Sequence, residues 1–353
     1  MDKTFQEIFN ILEKEHEREK NLKLNSRVLI VDALNNFIRI WVTMPTVNDE
    51  GQHVGGIVGF LYTLGVAIRT LKPTRVFVVL DGKNSSSRRK KIFPSYKANR
   101  GAGTRLNRAH QWADEEEERK QMQYQILRII KYLKNLPVTF VLIDNIEADD
   151  SIASLVDLYK QRKDLQELFI VSSDKDFYQL IDNRVKVWNP IKKQIVNKED
   201  FVKLYNMQPY NFALLKSLMG DKSDNIPGIK GLGPKTIEKH YKFLNEHIKY
   251  VPDDVLHYAE SHLEGGRAYQ LLVDHKDQYL MNYRLMKLSN STIPNSAVLK
   301  IIGLVNSPVN EINLLNIQEL VKQDKLWNSF KNINEWVLTN FLFLNSFIKK
   351  NII

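Results

Sequence analysis

Two short β-branched runs, RVLIV at 27–31 and VFVVL at 76–80, each stop at an aspartate, Asp32 and Asp81. Runs this apolar and this short read as parallel strands buried on both faces, so helices must cover both sides of a sheet. The pattern recurs. VTFVLI leads into IEADD, with Glu147, Asp149 and Asp150, and LFIV leads into SSDKD, with Asp174 and Asp176. A fifth group, GDKSD, puts Asp221 and Asp224 at a helix-to-loop boundary. In an open parallel sheet the C-terminal strand ends share one edge, where ligands bind. A lone acid after a strand is an ordinary cap or turn residue, but five such groups in order make a cluster. Its carboxylates would repel one another unless divalent cations neutralised them. Oxygen donors without cysteine or a histidine group select Mg²⁺ or Mn²⁺ over zinc or copper.

Strands at 27–31, 75–80, 138–143, 168–172 and 185–188 alternate with helical stretches at 56–71 and about 148–161. Such alternation predicts an α/β fold around a central, mostly parallel sheet. No GxGxxG or GxxxxGK[ST] run accompanies it, which weighs against dinucleotide or P-loop chemistry. Three regions follow from the patterning: a charged helical extension over 1–25 with an apolar stripe of Phe5, Ile8, Phe9 and Leu12, an α/β core over 26–205, and a helical region over 206–353. The last holds helical candidates at 254–263, 266–288, 312–328 and 331–350, with Trp327, Trp336, Phe341 and Phe343 expected in its core.

The formal charge is +10 although the strongest motifs are acidic, which suggests an anionic substrate held by basic surface around an acidic metal centre. Absence of cysteine excludes disulfides and thiolate metal sites. The acid-rich start is unlike a signal peptide, and VLTNFLFLNSFI is too short to span a bilayer, so a soluble, cytoplasmic monomer without membrane contact is expected.

Between Asp81 and Trp112 the chain carries Lys83, Arg88, Arg89, Lys90, Lys91, Lys97, Arg100, Arg105 and Arg108 with no acid, then turns to ADEEEERK. A basic loop leaving the metal edge and returning through a helix suits a substrate-covering lid. Further on, IPGIKGLGPKTIEKH supplies a glycine-rich turn and a helix starting near Pro234, within a hairpin region over about 220–245. Gly231 and Gly233 free the turn, its backbone amides suit phosphate oxygens, and Lys230 and Lys235 reinforce a duplex-backbone reading.

The motifs IVDALN, VVLDGK, PSYKANR, IEADD, SSDKDF and GDKSDNIPGIKGLGPKTI resemble, in order and spacing, the flap endonuclease/5′-nuclease family. The stand-alone phage enzymes, phage RNase H and 5′-3′ exonucleases among them, are similar, as is the 5′-nuclease domain of bacterial DNA polymerase I. The likeness covers about residues 26–245 and only loosely the rest. It implies a PIN-like nuclease core with a helical arch over about 83–130 and a helix–hairpin–helix-like duplex-binding element at 225–236, where K⁺ is commonly held by backbone oxygens. It further implies structure-selective hydrolysis at 5′ ends of nicks, flaps and RNA–DNA hybrids, giving 5′-phosphate and 3′-hydroxyl products, with a single-strand-binding or replication protein as a candidate partner.

Two divalent ions suit that reaction, since they can activate water and stabilise the leaving 3′ oxygen. Asp32, Asp81, Glu147 and Asp149 are expected around the first. Asp150, Asp174, Asp176 and Asp221 are expected around the second, with Asp224 mostly in the outer shell. Lys97 and Arg100 match the family's basic positions at the scissile and neighbouring phosphates, and Arg88, Arg89, Lys90, Lys91 and Tyr96 are candidate nucleic-acid contacts. A PIN-like ribonuclease and a non-catalytic branched-DNA-binding protein are the alternatives.

Overall fold

In the computed structural model, which describes residues 22–99 and 107–349, six strands form one sheet. They are β1 (Arg27–Asp32), β2 (Arg75–Asp81), β3 (Thr139–Ile143), β4 (Glu167–Val171), β5 (Val185–Asn189) and β6 (Gln194–Val196), in the order β3-β2-β1-β4-β5-β6. All neighbours are parallel except the edge pair β5–β6. The register aligns Asp32 with Val79 on one side and Val31 with Val171 on the other, so the acids following β1, β2 and β4 emerge at one edge.

Alternation along the buried strands feeds two cores. Val28 and Ile30 of β1 face a layer containing α5 (Ala148–Lys160). Leu29 and Val31 face a layer of α1 (Ala33–Thr43), α2 (Gly55–Leu71) and α4 (Glu115–Leu133). The terminal helices α13 (Leu314–Gln323) and α14 (Ile333–Lys349) pack on that second layer, where Trp41, Ile57 and Phe341 are fully buried. Burying each such side chain contributes about 1.5–3 kcal/mol against leaving it in water, which is what fixes the strand order and the shared edge. Between α2 and α4 lies the short α3 (Ser87–Ile92), and α6 (Lys198–Tyr205) follows β6.

The C-terminal half is helical: α7 (Phe212–Met219), α8 (Pro234–His240), α9 (Pro252–Ser261), α10 (Arg267–Asp274), α11 (Lys276–Met286) and α12 (Asn295–Asn306). Between α7 and α8 two tiny strands, β7 (Gly220–Asp221) and β8 (Ile226–Pro227), pair antiparallel. Gly220 adopts φ +73°, and a Cβ there would lie 2.2 Å from the Gly228 nitrogen, so this crossing needs bare backbone.

Several element expectations change. The helix read over 266–288 is two, broken at His275, which caps α10 and starts α11. The 312–328 stretch is helical only over Leu314–Gln323, and Trp327 is 49% exposed instead of filling the core. Helices α1, α6 and α12 and the edge strand β6 are additional. Residues 1–21 of the expected N-terminal extension, and Arg100 and Arg105 of the basic segment, lie outside the described residues. Among the described residues no helix is long and apolar enough to cross a membrane.

Candidate metal centre

Each carboxylate reaches the edge by a local device. Asp32 caps α1, its Oδ1 accepting from the Asn35 amide at 3.3 Å, while Oδ2 accepts from the Ser172 hydroxyl at 3.0 Å. Asp81 ends β2 and accepts from the Ala148 amide at 2.9 Å, which ties it to the first turn of α5. Glu147 is the residue before that helix, with Asp149 and Asp150 in its first turn, where the helix dipole favours negative charge. Oxygens of these three lie within 4.8 Å of one another. Asp174 follows β4 and accepts from the Asp176 amide at 2.9 Å, at the start of a 3₁₀ turn. Asp221 sits in β7, and Asp224 in the turn to β8.

Electrostatic influence runs unbroken along this set. Burial, then repulsion from Asp174 and Asp81, overcomes the Ser172 and Asn35 hydrogen bonds and pushes the Asp32 carboxyl up to about 7. Burial likewise raises Asp81, with Asp149 and Glu147 adding to it. Burial and the neighbouring Asp174 raise Asp176 to about 7 despite Lys216 beside it. Asp221 goes the other way: burial opposes ionisation, but its bonds to Lys216 and Ser223 hold it down at about 2. Asp224 joins through the Tyr96 hydroxyl, which lies 3.0 Å from both Asp224 Oδ2 and Glu147 Oε2. Charge–charge influence and hydrogen bonds thus link the nine acids singled out from the sequence, and among the described residues Glu147, Asp149 and Asp150 form the group whose oxygens lie within 4.8 Å of one another.

Four cations sit among them. Lys97 Nζ donates to Glu147 Oε1 at 2.6 Å, and the carboxylates around it raise its affinity for a proton although burial opposes that. Its own backbone is left-handed, φ 56°, a conformation held by neighbours. The Lys97 amide donates to Asp224 O at 2.9 Å, Asn99 Nδ2 to Lys222 O at 2.9 Å, and Asn225 Nδ2 to Ser95 O at 2.7 Å. These three bonds stitch the basic segment to the GDKSDN turn and aim Lys97 at the acids.

Arg89 is buried and ion-paired to Glu147, to Asp149 at 3.5 Å and to Asp150 at 2.9 Å, while its Nε donates to Leu285 O. It thus sits inside the cluster, and Asp150 faces it and Arg88. Lys90 and Lys91 stay exposed, as do Lys230, Gly231, Gly233 and Lys235 around the start of α8. Gly231 takes φ +96°, the freedom its turn requires.

Lys216 is the residue that sequence reasoning missed. It projects from α7 between Asp176 and Asp221, bonding both, at 2.8 Å to the latter. The clue was available: a single lysine inside the apolar run NFALLKSLMG.

Comparison with known proteins places this arrangement. Residues 27–206 match the family described as 5′-3′ exonuclease, N-terminal resolvase-like domain, and residues 207–300 match 5′-3′ exonuclease, C-terminal SAM fold. The chain belongs to the 5′-3′ exonuclease family. The 5′-3′ exonuclease of Buchnera aphidicola subsp. Schizaphis graminum is 31% identical over 210 residues, 59% of this chain and 67% of that one. Thermostable DNA polymerase I of Thermus thermophilus is 30% identical over 250 residues, 68% of this chain but 28% of the polymerase. Among solved structures, the bacteriophage T5 D15 protein co-crystallised with metal ions superposes with a TM-score of 0.58 at 20% identity. That match covers 84% of this chain and 98% of the other, and it establishes a shared fold. With the 5′-3′ exonuclease family comes its reaction, hydrolysis of nucleic acid from a 5′ end.

Proposed function

We propose that this chain is an Mg²⁺-dependent, structure-selective 5′-nuclease that cuts DNA at nicks, free 5′ ends and 5′ flaps and removes RNA from RNA–DNA hybrids. The observation that carries this reading is the close group of Glu147, Asp149 and Asp150 beside Lys97, which bonds Glu147 and is anchored through its amide to the GDKSDN turn.

The donor set fits divalent metal. Four cations, Arg88, Arg89, Lys97 and Lys216, stand against nine carboxylates, and the surplus negative charge is what two divalent ions would neutralise. All the acid ligands are oxygens, the donors hard cations prefer. Asp32, Asp81, Glu147 and Asp149 would hold one ion. Asp174, Asp176 and Asp221 would hold the other, with Asp150 and Asp224 orienting neighbours through Arg89 and Tyr96. When bound, the metals would supply a water of lowered pKa and positive charge on the reacting oxygens.

The chain's own residues do the rest. Lys97, fixed to the Asp224 carbonyl, presents its ammonium where the scissile phosphate gains charge, an interaction stronger in the transition state than in the ground state. Ser172 and the Asn35 amide orient Asp32, and the Ala148 amide orients Asp81. Exposed Lys230 and Lys235, with the first amides of α8, suit a duplex backbone without reading its sequence. Backbone oxygens of the same hairpin are where K⁺ would sit, and a single-strand-binding or replication protein is the partner expected of such an enzyme. Arg100 completes the phosphate contacts in this reading.

The test compares 5′-labelled nicked, flap, RNA–DNA hybrid and single-stranded RNA substrates with Mg²⁺ and sizes the products. Short 5′-phosphorylated fragments from the flap and the hybrid support the proposal. Cleavage of RNA single strands alone would favour a PIN-like ribonuclease, and binding without cleavage a branched-DNA scaffold.

A further inference from the structure

Beside the carboxylate edge is a cavity of about 210 Å³ that the proposed chemistry does not use. Arg88 and Lys91 of α3 line one wall, and Arg284 of α11 with Lys287, the residue that ends it, line another. Ile92 and Thr292 contribute an apolar side chain and a hydroxyl, and Arg89 and Asp150, which belong also to the carboxylate cluster, complete the lining. Among the described residues Asp150 is the only acid that lines it, and both its oxygens are engaged by Arg89, at 3.0 and 2.9 Å.

Lys91, Arg284 and Lys287 make no ion pair among the described residues. Solvated lysines ordinarily spread into water, whereas these cations converge on one space, with Lys287 half-buried. Their supports are rigid: Arg89 Nε donates to Leu285 O at 2.8 Å, locking α3 to α11, and Gln179 Nε2 donates to Met286 O at 3.0 Å. Converging like charges on fixed elements is unfavourable until an anion joins them.

We propose that this cavity binds a phosphate dianion, supplied either by the 5′-terminal phosphate of a strand or by free phosphate. The volume lies below that of pockets for drug-sized ligands, so the occupant is small or is the end of a chain. A monoester carries a second charge that an internal phosphodiester lacks, and three unpaired donors can each give it a charge-assisted hydrogen bond. The Arg89–Asp150 pair closes the inner wall, which suits a terminus better than a strand running through. On the nuclease reading above, a 5′ end held here would sit beside the acids of α5, one guanidinium away.

The experiment uses the full chain in EDTA with 3′-labelled single-stranded oligonucleotides bearing either a 5′ phosphate or a 5′ hydroxyl. The phosphorylated form should bind about tenfold tighter, the scale of one good charge-assisted contact. Inorganic phosphate should remove that advantage, and so should Arg284→Gln or Lys287→Gln. Both variants should still cut a 5′-hydroxyl flap in Mg²⁺ at the wild-type rate. Arg284 is exposed, so its substitution keeps the test readable should Lys287→Gln unfold. Equal oligonucleotide affinities, with ³¹P line broadening of inorganic phosphate that is lost in Arg284→Gln, would keep the dianion site and assign it to free phosphate. Equal affinities and no ³¹P broadening would overturn the proposal. Failure of the wild type to cut any flap would instead count against the nuclease reading, because the binding arm needs no turnover.

Discussion

Replacing Asp32 with Asn should stabilise the metal-free protein at pH 8 while removing its nuclease activity. Burial lifts the Asp32 carboxyl from 3.8 to about 7. At about 1.4 kcal/mol for each tenfold change in proton affinity, folding with this side chain ionised costs about 4 kcal/mol above pH 7. The carboxylate accepts from both Ser172 and the Asn35 amide, and an amide oxygen can serve one of them, which returns about 1 kcal/mol. A net gain of about 3 kcal/mol remains. Its size depends on pH, because the folded state binds this proton more tightly than the unfolded chain. Below 3.8 the side chain is neutral in both states and the gain vanishes; it grows as pH rises from 3.8 to 7 and is constant above. Urea unfolding in EDTA, followed by tryptophan fluorescence at pH 4 and pH 8, reads this directly. In Mn²⁺ the order should reverse, since metal stabilises only a folded state that has its ligands. A wild type at least as stable as the variant at pH 8 in EDTA, or the same difference at both pH values, would refute the reasoning.

Other substitutions probe neighbouring parts of the site. Lys97→Ala should lower the single-turnover rate on saturating flap DNA by on the order of 10²-fold, with a much smaller change in Kd; equal rates would remove Lys97 from catalysis. Lys216→Met leaves Asp176 and Asp221 without their cation and should destabilise the metal-free protein by about 2 kcal/mol, yet tighten Mn²⁺ binding measured by calorimetry, since lysine and metal compete for the same oxygens. Unchanged Mn²⁺ affinity would show that they do not compete. Lys230→Ala or Lys235→Ala should weaken duplex substrates more than single strands and shallow the log-affinity against log-salt slope by about 1 for each phosphate left without its lysine. A slope identical to wild type would make that lysine ordinary surface.

The sheet and its acidic edge were legible because their cause is local. A β-branched run ended by an acid forces both the strand and the carboxylate's position, and β1, β2 and β4 follow their runs within a residue. Helix α1 was harder to see because it starts directly from the strand, with Asp32 serving as strand end and cap together. Its buried residues Ala33, Phe37 and Trp41 nonetheless repeat every four. The break at His275 has no glycine or proline to announce it, so only packing decides it.

Within RRKK the four cations look alike in sequence. Docking of α3 on α11 turns Arg89 inward and leaves Lys90 and Lys91 outside. The expectation that metal alone would relieve the crowded acids overlooked this: Arg89 meets Glu147 and Asp150, and Lys216 meets Asp176, across long stretches of chain that only the packing of their helices brings together.

The central claim is that these carboxylates hold metal for cutting at a 5′ end. Its most direct test is Mg²⁺-dependent release of a 5′ label from a flap substrate by the wild type and by Asp149→Ala at matched folding, with EDTA controls. The account predicts short 5′-phosphorylated products from the wild type only. It also predicts flap binding without cutting in EDTA, and binding but no cleavage by the variant. Near-normal single-turnover cleavage by Asp149→Ala, or wild-type cleavage that persists in EDTA, would contradict it.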